Sequence, residues 1–265
     1  MKKGLKWMLN KSSPLYIKPR LNLDFLKWTL AFNKSCNSKH VKKVIPTIKR
    51  ITLLSQDLYD DIKRDENFSF HYEKKGLLML CQTDKALEDE INTANIAKQE
   101  GLDVKEISLK ELKKLEPSVA LDVKGATYYK CDSHSTPHEF MDEMKTYLKN
   151  KGVVFYANEK VEDIEIENQK ISTIKTNKQV LKADEFVLAA GSWSAFLNKK
   201  SGLKLLIQAG KGYRINSEIQ TNISIPAILA EAKVAVTPMN GFTRFAGTME
   251  IAGINHDINK VRVEA

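Results

Sequence analysis

Apolar residues recur along the chain with two different periods. After Pro46, the positions Ile48, Ile51, Leu54, Leu58 and Ile62 follow one another at spacings of three and four, the period of an amphipathic helix. Upstream, residues 1–11 read as a short amphipathic helix. It is stopped by Ser12-Ser13-Pro14 and Lys18-Pro19, because proline lacks an amide donor and fixes φ. Asp24 is placed to cap a second helix over about 25–33. Phe68 to Cys81 (FSFHYEKKGLLMLC) predicts two strands folded as a hairpin around Glu73-Lys74-Lys75-Gly76, with His71 and Tyr72 as packing or surface residues of the first. Thr83-Asp84 opens a helix to about Gln99 with its stop at Gly101. Ser108 opens another to Leu115, with Glu111 completing a capping box. Gly125–Lys130 reads as a strand, Pro137–Lys149 as a helix ending near Gly152, and Val153–Tyr156 as a strand.

Beyond residue 160 the period shortens. Val161–Ile166, Ile171–Thr176 and Glu185–Leu188 predict a three-stranded meander with turns at Asn168-Gln169 and Asn177-Lys178. Trp193–Leu197 reads as a short helix, and from Leu205 to Ile251 the chain is mostly strand. The predicted class is α/β, with an α/β part interleaved with an antiparallel part. Four stretches follow: a helical segment over 1–66, antiparallel stretches over 67–130 and 203–265, and an α/β stretch carrying the meander over 131–202.

Composition narrows the class. The chain has 265 residues, of which 42% are hydrophobic and 28% charged, as in a globular protein with a sizeable core. No apolar run is long enough to span a bilayer. The N-terminus does not read as a signal peptide, since Lys6, Asn10 and Lys11 interrupt it. Cys36, Cys81 and Cys131 are odd in number and far apart, which points to a reducing, cytoplasmic setting rather than a disulfide framework. The net charge of +9 is uneven. Residues 1–50 hold 13 lysines and arginines against one acid, Asp24, a net of +12, and the rest carries −3. Trp7, Tyr16, Phe25, Trp28 and Phe32 lie among those basic groups. A solvated lysine-rich face with the aromatics in the core, an anionic membrane surface and nucleic acid are the readings open to such a segment, in that order.

The segment Ala183-Asp-Glu-Phe-Val-Leu-Ala-Ala-Gly-Ser-Trp-Ser194 runs an apolar stretch into Ala-Ala-Gly and then a helix. Small residues there allow close approach to a ligand, or simply tight helix–strand packing. This segment, preceded by a meander, resembles the glycine/D-amino-acid oxidase superfamily of flavoproteins. Cys131–Phe140 (CDSHSTPHEF) resembles the D-(G)-x-x-x-P-x-x-F entry to a helix of that family, with Ser133 where glycine is usual. Gln208–Tyr213 (QAGKGY) resembles its P-x-K-G-Y, with Ala209 and Gly210 around the usual proline site. Ala232–Glu250 (AKVAVTPMNGFTRFAGTME) and Ser13–Arg20 (SPLYIKPR) are similar to segments of the bacterial D-amino-acid dehydrogenases within the family.

The resemblance implies FAD as cofactor, a Rossmann-like FAD-binding portion over 131–202 and an antiparallel substrate domain formed by 67–130 and 203–265. It implies oxidation of a D-amino acid or related amine to the imine and keto acid, with electrons passed to a quinone or another acceptor. Val161 would touch the adenine end through its backbone, and Ala190, Gly191 and Trp193 would wall the flavin. Arg244 is a candidate for the substrate carboxylate, its alternative being a structural ion pair with Glu231 or Glu250. Tyr213 is a candidate for the substrate cavity or the core. No catalytic acid or base is identified. Cys131, His134 and His138 are spaced like metal ligands, but the resemblance accounts for the segment without a metal. No nucleic-acid partner is expected.

The family's phosphate-binding G-x-G-x-x-G is not in the chain: Gly210-Lys211-Gly212 is followed by Ile215 at the third position. Its G-x-R-P segment is not there either. The pattern is that of an incomplete, central portion of a longer member. A non-catalytic homologue without flavin and a peripheral module on the inner face of a membrane are the alternative functions.

Overall fold

A computed structural model describes residues 13–197 and 205–264. The expected helix over residues 1–11 lies outside them. The molecule is built around an eight-stranded mixed sheet, in the order β1-β13-β12-β11-β3-β5-β4 with β10 added on β13. Its strands are β1 (Leu15–Ile17), β3 (Leu77–Cys81), β4 (Val104–Ile107), β5 (Gly125–Tyr129), β10 (Lys211–Ser217), β11 (Ala227–Leu229), β12 (Val234–Met239) and β13 (Phe242–Ile251). Strand β13 organises one end: β10 and β12 pair antiparallel to it, and β1 pairs parallel with Met249–Ile251. Two smaller sheets stand apart, β2 (Tyr72–Glu73) with β6 (His134–Ser135), and the meander β7 (Val161–Glu167), β8 (Lys170–Thr176) and β9 (Val180–Leu181).

The helices are α1 (Leu23–Ser35), α2 (Ser38–Asp65), α3 (Asp84–Gln99), α4 (Leu109–Leu115), α5 (Pro137–Asn150), α6 (Ser194–Leu197) and α7 (Lys260–Glu264). The expected caps of α3 and α4 are in place: Thr83 accepts from Ala86 N–H, and Ser108 and Glu111 form a reciprocal capping box. The Ser108 N–H, then its hydroxyl, hold the Glu111 carboxyl down at about 2. Helix α1 is capped two residues before the predicted cap. Asn22, not Asp24, receives the Phe25 N–H at 2.7 Å, and Asp24 falls in the first turn, where it faces the positive end of the helix dipole.

Four expected elements differ. Helix α2 begins at Ser38, capped by Asn37, and runs through Pro46 instead of starting after it. The carbonyl that loses its donor belongs to Lys42, which is exposed and can bind water. The predicted hairpin over 68–81 is opened out, because Gly76 takes φ +74° and donates its N–H to Asp132 O. A Cβ at Gly76 would fall 2.7 Å from Tyr129 O, so the chain can turn there only with glycine. β2 therefore pairs with β6, while β3 inserts between β5 and β11. The third meander strand is Val180–Leu181, not Glu185–Leu188. Val153–Tyr156 forms no strand, and its side chains are exposed, as is Val187 at 91%. A strand needs a neighbour to take its backbone groups, and no described segment pairs with either stretch.

Two apolar clusters hold the large sheet. Leu78, Leu80, Ile107, Leu112, Ala126, Ile225 and Ala227 form the main one, under α4. Ile17, Phe25 and Ile251 form the second, joined by Trp28, where α1 lies on β1 and β13. The first is tied to its surroundings by Glu116, 3% exposed at the end of α4. Its carboxylate accepts the N–H of Ser224 at 3.0 Å and of Ile225 at 2.6 Å, and the Ser224 hydroxyl. Removing an acceptor from buried donors costs about 1–3 kcal/mol. Glu116→Ala should therefore lower unfolding free energy by about that amount, read as a shifted urea midpoint at unchanged m-value. A shift under about 0.5 kcal/mol would mean that water replaces the carboxylate freely.

Candidate active site

Strands β10 and β13 place the chemistry. Their register sets Tyr213 against Gly247, Arg214 against Ala246, Ile215 against Phe245 and Asn216 against Arg244. Directly opposed residues share a face and successive residues alternate. Arg214, Asn216 and Arg244 therefore stand on one face, and Tyr213, Ile215 and Phe245 on the other. The two substrate candidates read from sequence, Tyr213 and Arg244, are not brought to one cleft.

On the first face lies a cleft of about 480 Å³ lined by Pro137, His138, Arg214, Asn216, Phe242 and Arg244, among others. The volume is in the range of small-molecule sites. The Arg244 Nε donates to Asn216 Oδ1 at 3.1 Å, and its guanidinium lies 5.5 Å above the Phe242 ring. His138 stacks on the same ring at 6.2 Å. Burial, and then the Arg214 charge, hold the Arg244 guanidinium below its ordinary value; arginine remains protonated at neutral pH all the same. Neither structural ion-pair partner foreseen for Arg244 is used. Glu231 accepts from the N–H groups of Gln82 and Thr83, and Glu250 binds Tyr213 and lies near Arg262. Among the described residues, neither Arg214 nor Arg244 has a carboxylate partner. Sequence reading missed Arg214. The alternation of strand 211–217 carried the signal, but only the register against β13 identifies which side it shares.

On the opposite face Tyr213 is engaged. Its hydroxyl donates to Glu250 Oε2 at 3.0 Å and receives the Asn259 N–H at 3.1 Å. It lines a second cavity, of about 300 Å³, with Ile215, Val234, Phe245 and Arg262.

The four cofactor candidates sit at the meander. Val161 opens β7 opposite Thr176, and α6 packs against β7. Ala190 precedes a 3-10 turn over Gly191–Trp193, in which Gly191 adopts φ +52° and faces open space. Trp193 is 52% exposed. The small residues, the left-handed glycine and the exposed indole fit one wall of a flat, largely apolar ring system. Nothing in the chain supplies the glycine-rich turn that would hold the phosphates of a dinucleotide. The residues present therefore fit the ring portion of FAD and not its pyrophosphate.

Residues 24–265 match the FAD dependent oxidoreductase family, and the chain belongs to it. Within that family it is similar to the D-amino acid dehydrogenase of Helicobacter pylori, 30% identical over 261 residues, which is 98% of this chain and 62% of that protein. It is also similar to the D-amino acid dehydrogenase of Vibrio vulnificus (strain CMCP6), at 26% over 98% of this chain and 64% of the relative. The chain thus spans just under two thirds of the length of these relatives. Among solved structures it resembles the glycine oxidase of Bacillus cereus ATCC 14579, with a TM-score of 0.69 at 19% identity over 80% of this chain and 58% of that one. That likeness establishes the mixed α/β fold.

Proposed function

We propose that the chain forms the substrate sheet and one flavin wall of an FAD-dependent oxidoreductase that oxidises D-amino acids to imines and keto acids. The observation that carries this reading is the pair Arg214 and Arg244, two guanidiniums on adjacent strands facing a substrate-sized cleft; Asp142 also lines it, but neither arginine is ion-paired among the described residues. A planar guanidinium fork suits a carboxylate, and the α-carboxylate of an amino acid would relieve the repulsion between the two cations. Asn216 holds the Arg244 fork in place, and Phe242 supplies an apolar floor under it. Ala190, Gly191 and Trp193 would wall the flavin and Val161 would approach its adenine end. Bound FAD supplies the hydride acceptor, the part of the chemistry side chains cannot provide. A substrate amine bound neutral needs no side-chain base. Electron transfer to a quinone rests on the likeness to the dehydrogenases.

The test is oxidation of a panel of D-amino acids by the protein purified from its own source, with FAD added. We expect substrate-dependent reduction of a quinone analogue and little hydrogen peroxide. Peroxide without quinone reduction would place it among oxidases. No turnover at saturating FAD would leave the non-catalytic reading, and overturn ours.

A quinone acceptor implies work at a membrane. Among the described residues no helix is long and apolar enough to cross one. Helix α1 instead carries a surface feature. Phe25 and Trp28 pack towards the body, while Leu23 (72% exposed), Leu26 (47%) and Leu30 (72%) recur at i, i+3 and i+7 on the outside. Arg20, Lys27 and Lys34 flank them. An amphipathic helix with basic neighbours can lie in an anionic interface, and we place the contact there. Co-sedimentation with anionic vesicles at low salt should show binding that weakens as salt rises and falls at least several-fold in Leu23→Gln/Leu26→Gln/Leu30→Gln. Equal binding by this variant would move the contact elsewhere.

A further inference from the structure

Glu73 and His134 are cross-strand partners where β2 pairs with β6. His71 precedes Glu73 by two residues, so all three side chains project from the same face. The Nε2 atoms of His71 and His134 each lie 3.4 Å from Glu73 Oε2. One ligating atom from each residue falls within 4.8 Å of the other two. Ligands held about 2.0–2.1 Å from a tetrahedral zinc ion stand roughly 3.3 Å apart. Two of the three separations are thus already at ligation length, and too long for good hydrogen bonds.

His134 supplies an independent observation. Its side chain is 6% exposed, and neither ring nitrogen has a hydrogen-bond partner. Buried polar groups are nearly always satisfied, so an imidazole with no hydrogen bond and only the long Glu73 contact at Nε2 is open to a ligand. The site is also held rigid from behind. His71 Nδ1 lies 2.9 Å from Thr136 Oγ1, which accepts the Asn240 N–H at 3.0 Å. With its proton on Nδ1, His71 directs the Nε2 lone pair at the cluster, as in ligating histidines whose other ring nitrogen is held by a hydrogen bond. Glu139 takes the His71 N–H at 2.7 Å, and Glu143 takes the N–H groups of Ser69 and Phe70.

We propose that His71, Glu73 and His134 bind a divalent transition-metal cation, with zinc best matched to the two-imidazole, one-carboxylate set. The site shares His134 with the Cys131–His134–His138 spacing visible in sequence, but neither of its other two members. His138 is stacked on Phe242, and Cys131 is not part of the cluster. One cation already competes for it: Lys75 Nζ lies 2.9 Å from Glu73 Oε2, on a side chain 46% exposed. The metal displaces that flexible ammonium into solvent and takes over neutralisation of Glu73. Three protein ligands leave a fourth position for water.

The test is independent of the proposed oxidation. The 265-residue chain is stripped with chelator; one sample is dialysed against zinc, and a separate metal-free sample is titrated with cobalt(II). We expect one tight equivalent and the intense visible bands of four-coordinate cobalt. His71→Ala and Glu73→Gln should each weaken binding at least roughly tenfold, with circular dichroism unchanged. His71 and Glu73 are partly exposed, so these variants carry the test if His134→Ala fails to fold. Lys75→Gln should tighten binding several-fold, a response that metal held elsewhere would not give. Cys131→Ser should change nothing. The proposal is overturned by the lack of stoichiometric binding, by binding that survives both His71→Ala and Glu73→Gln, or by loss of binding in Cys131→Ser.

Discussion

Arg262→Met should destabilise the protein by about 3–5 kcal/mol, the cost of removing one partner from a buried charged pair. The Arg262 side chain is fully buried, and its Nη2 donates to Ser13 O and Met249 O, both at 3.1 Å. Its Nε lies 3.8 Å from Glu250 Oε2, in a carboxylate itself only 8% exposed. One side chain thereby joins α7, the segment entering β1 and the end of β13. Methionine would fill the space but take a donor from the Ser13 and Met249 carbonyls and leave Glu250 with Tyr213 and, at 3.8 Å, Lys211. At roughly 2–4 °C per kcal/mol for a chain of this size, the melting temperature should fall on the order of 10 °C. Glu250→Gln added to Arg262→Met should recover part of the loss, because no unpaired charge then remains buried. Additive losses in that double-mutant cycle would show that Arg262 acts through the carbonyls alone.

The parts of this fold that were legible in the sequence are those fixed by short-range chemistry. Thr83 and Ser108 announce α3 and α4 because a hydroxyl acceptor three residues before an orphan N–H works in any context. The strand character of the chain between 205 and 251 was visible, though not its division into individual strands. The errors arise where a distant partner decides. Asn22 outcompetes Asp24 as a cap because the chain leaves β1 extended, and either residue could have served locally. Residues 68–81 have a plausible hairpin turn, yet Gly76 spends its N–H on Asp132, 56 positions away. Val153–Tyr156 and Glu185–Leu188 have strand composition and no partner strand among the described residues. The family resemblance was specific because five segments occurred in order, and it rightly singled out an FAD-dependent oxidoreductase. It could not show Arg214 beside Arg244, nor His134 beside His71 and Glu73. Both depend on strand register, which a one-residue slip would invert.

The same register sets the largest functional effect we expect, at Arg244. Charge-assisted hydrogen bonds to a carboxylate contribute about 1.5–3 kcal/mol. Arg244→Ala in the flavin-loaded enzyme should therefore reduce kcat/KM for a D-amino acid by about tenfold to a hundredfold. The change should fall mainly on KM, because the carboxylate carries the same charge in ground state and transition state, and such uniform binding is lost from KM first. Arg244→Lys should recover little. It keeps the charge but loses the fork that Asn216 orients and that lies over Phe242. Arg214→Ala should produce a smaller loss, since Arg214 is the more exposed of the two and has no orienting hydrogen bond comparable to that from Arg244 to Asn216. The discriminating substrate is the matching amine without its carboxylate. Wild type should handle it poorly, and Arg244→Ala should lose nothing further on it. If Arg244→Ala slows the amine and the amino acid equally, the guanidinium serves the strand pairing of β10 and β13, and the carboxylate binds elsewhere. If KM for the amino acid is unchanged while turnover falls, the guanidinium acts in the transition state and does not hold the ground-state carboxylate.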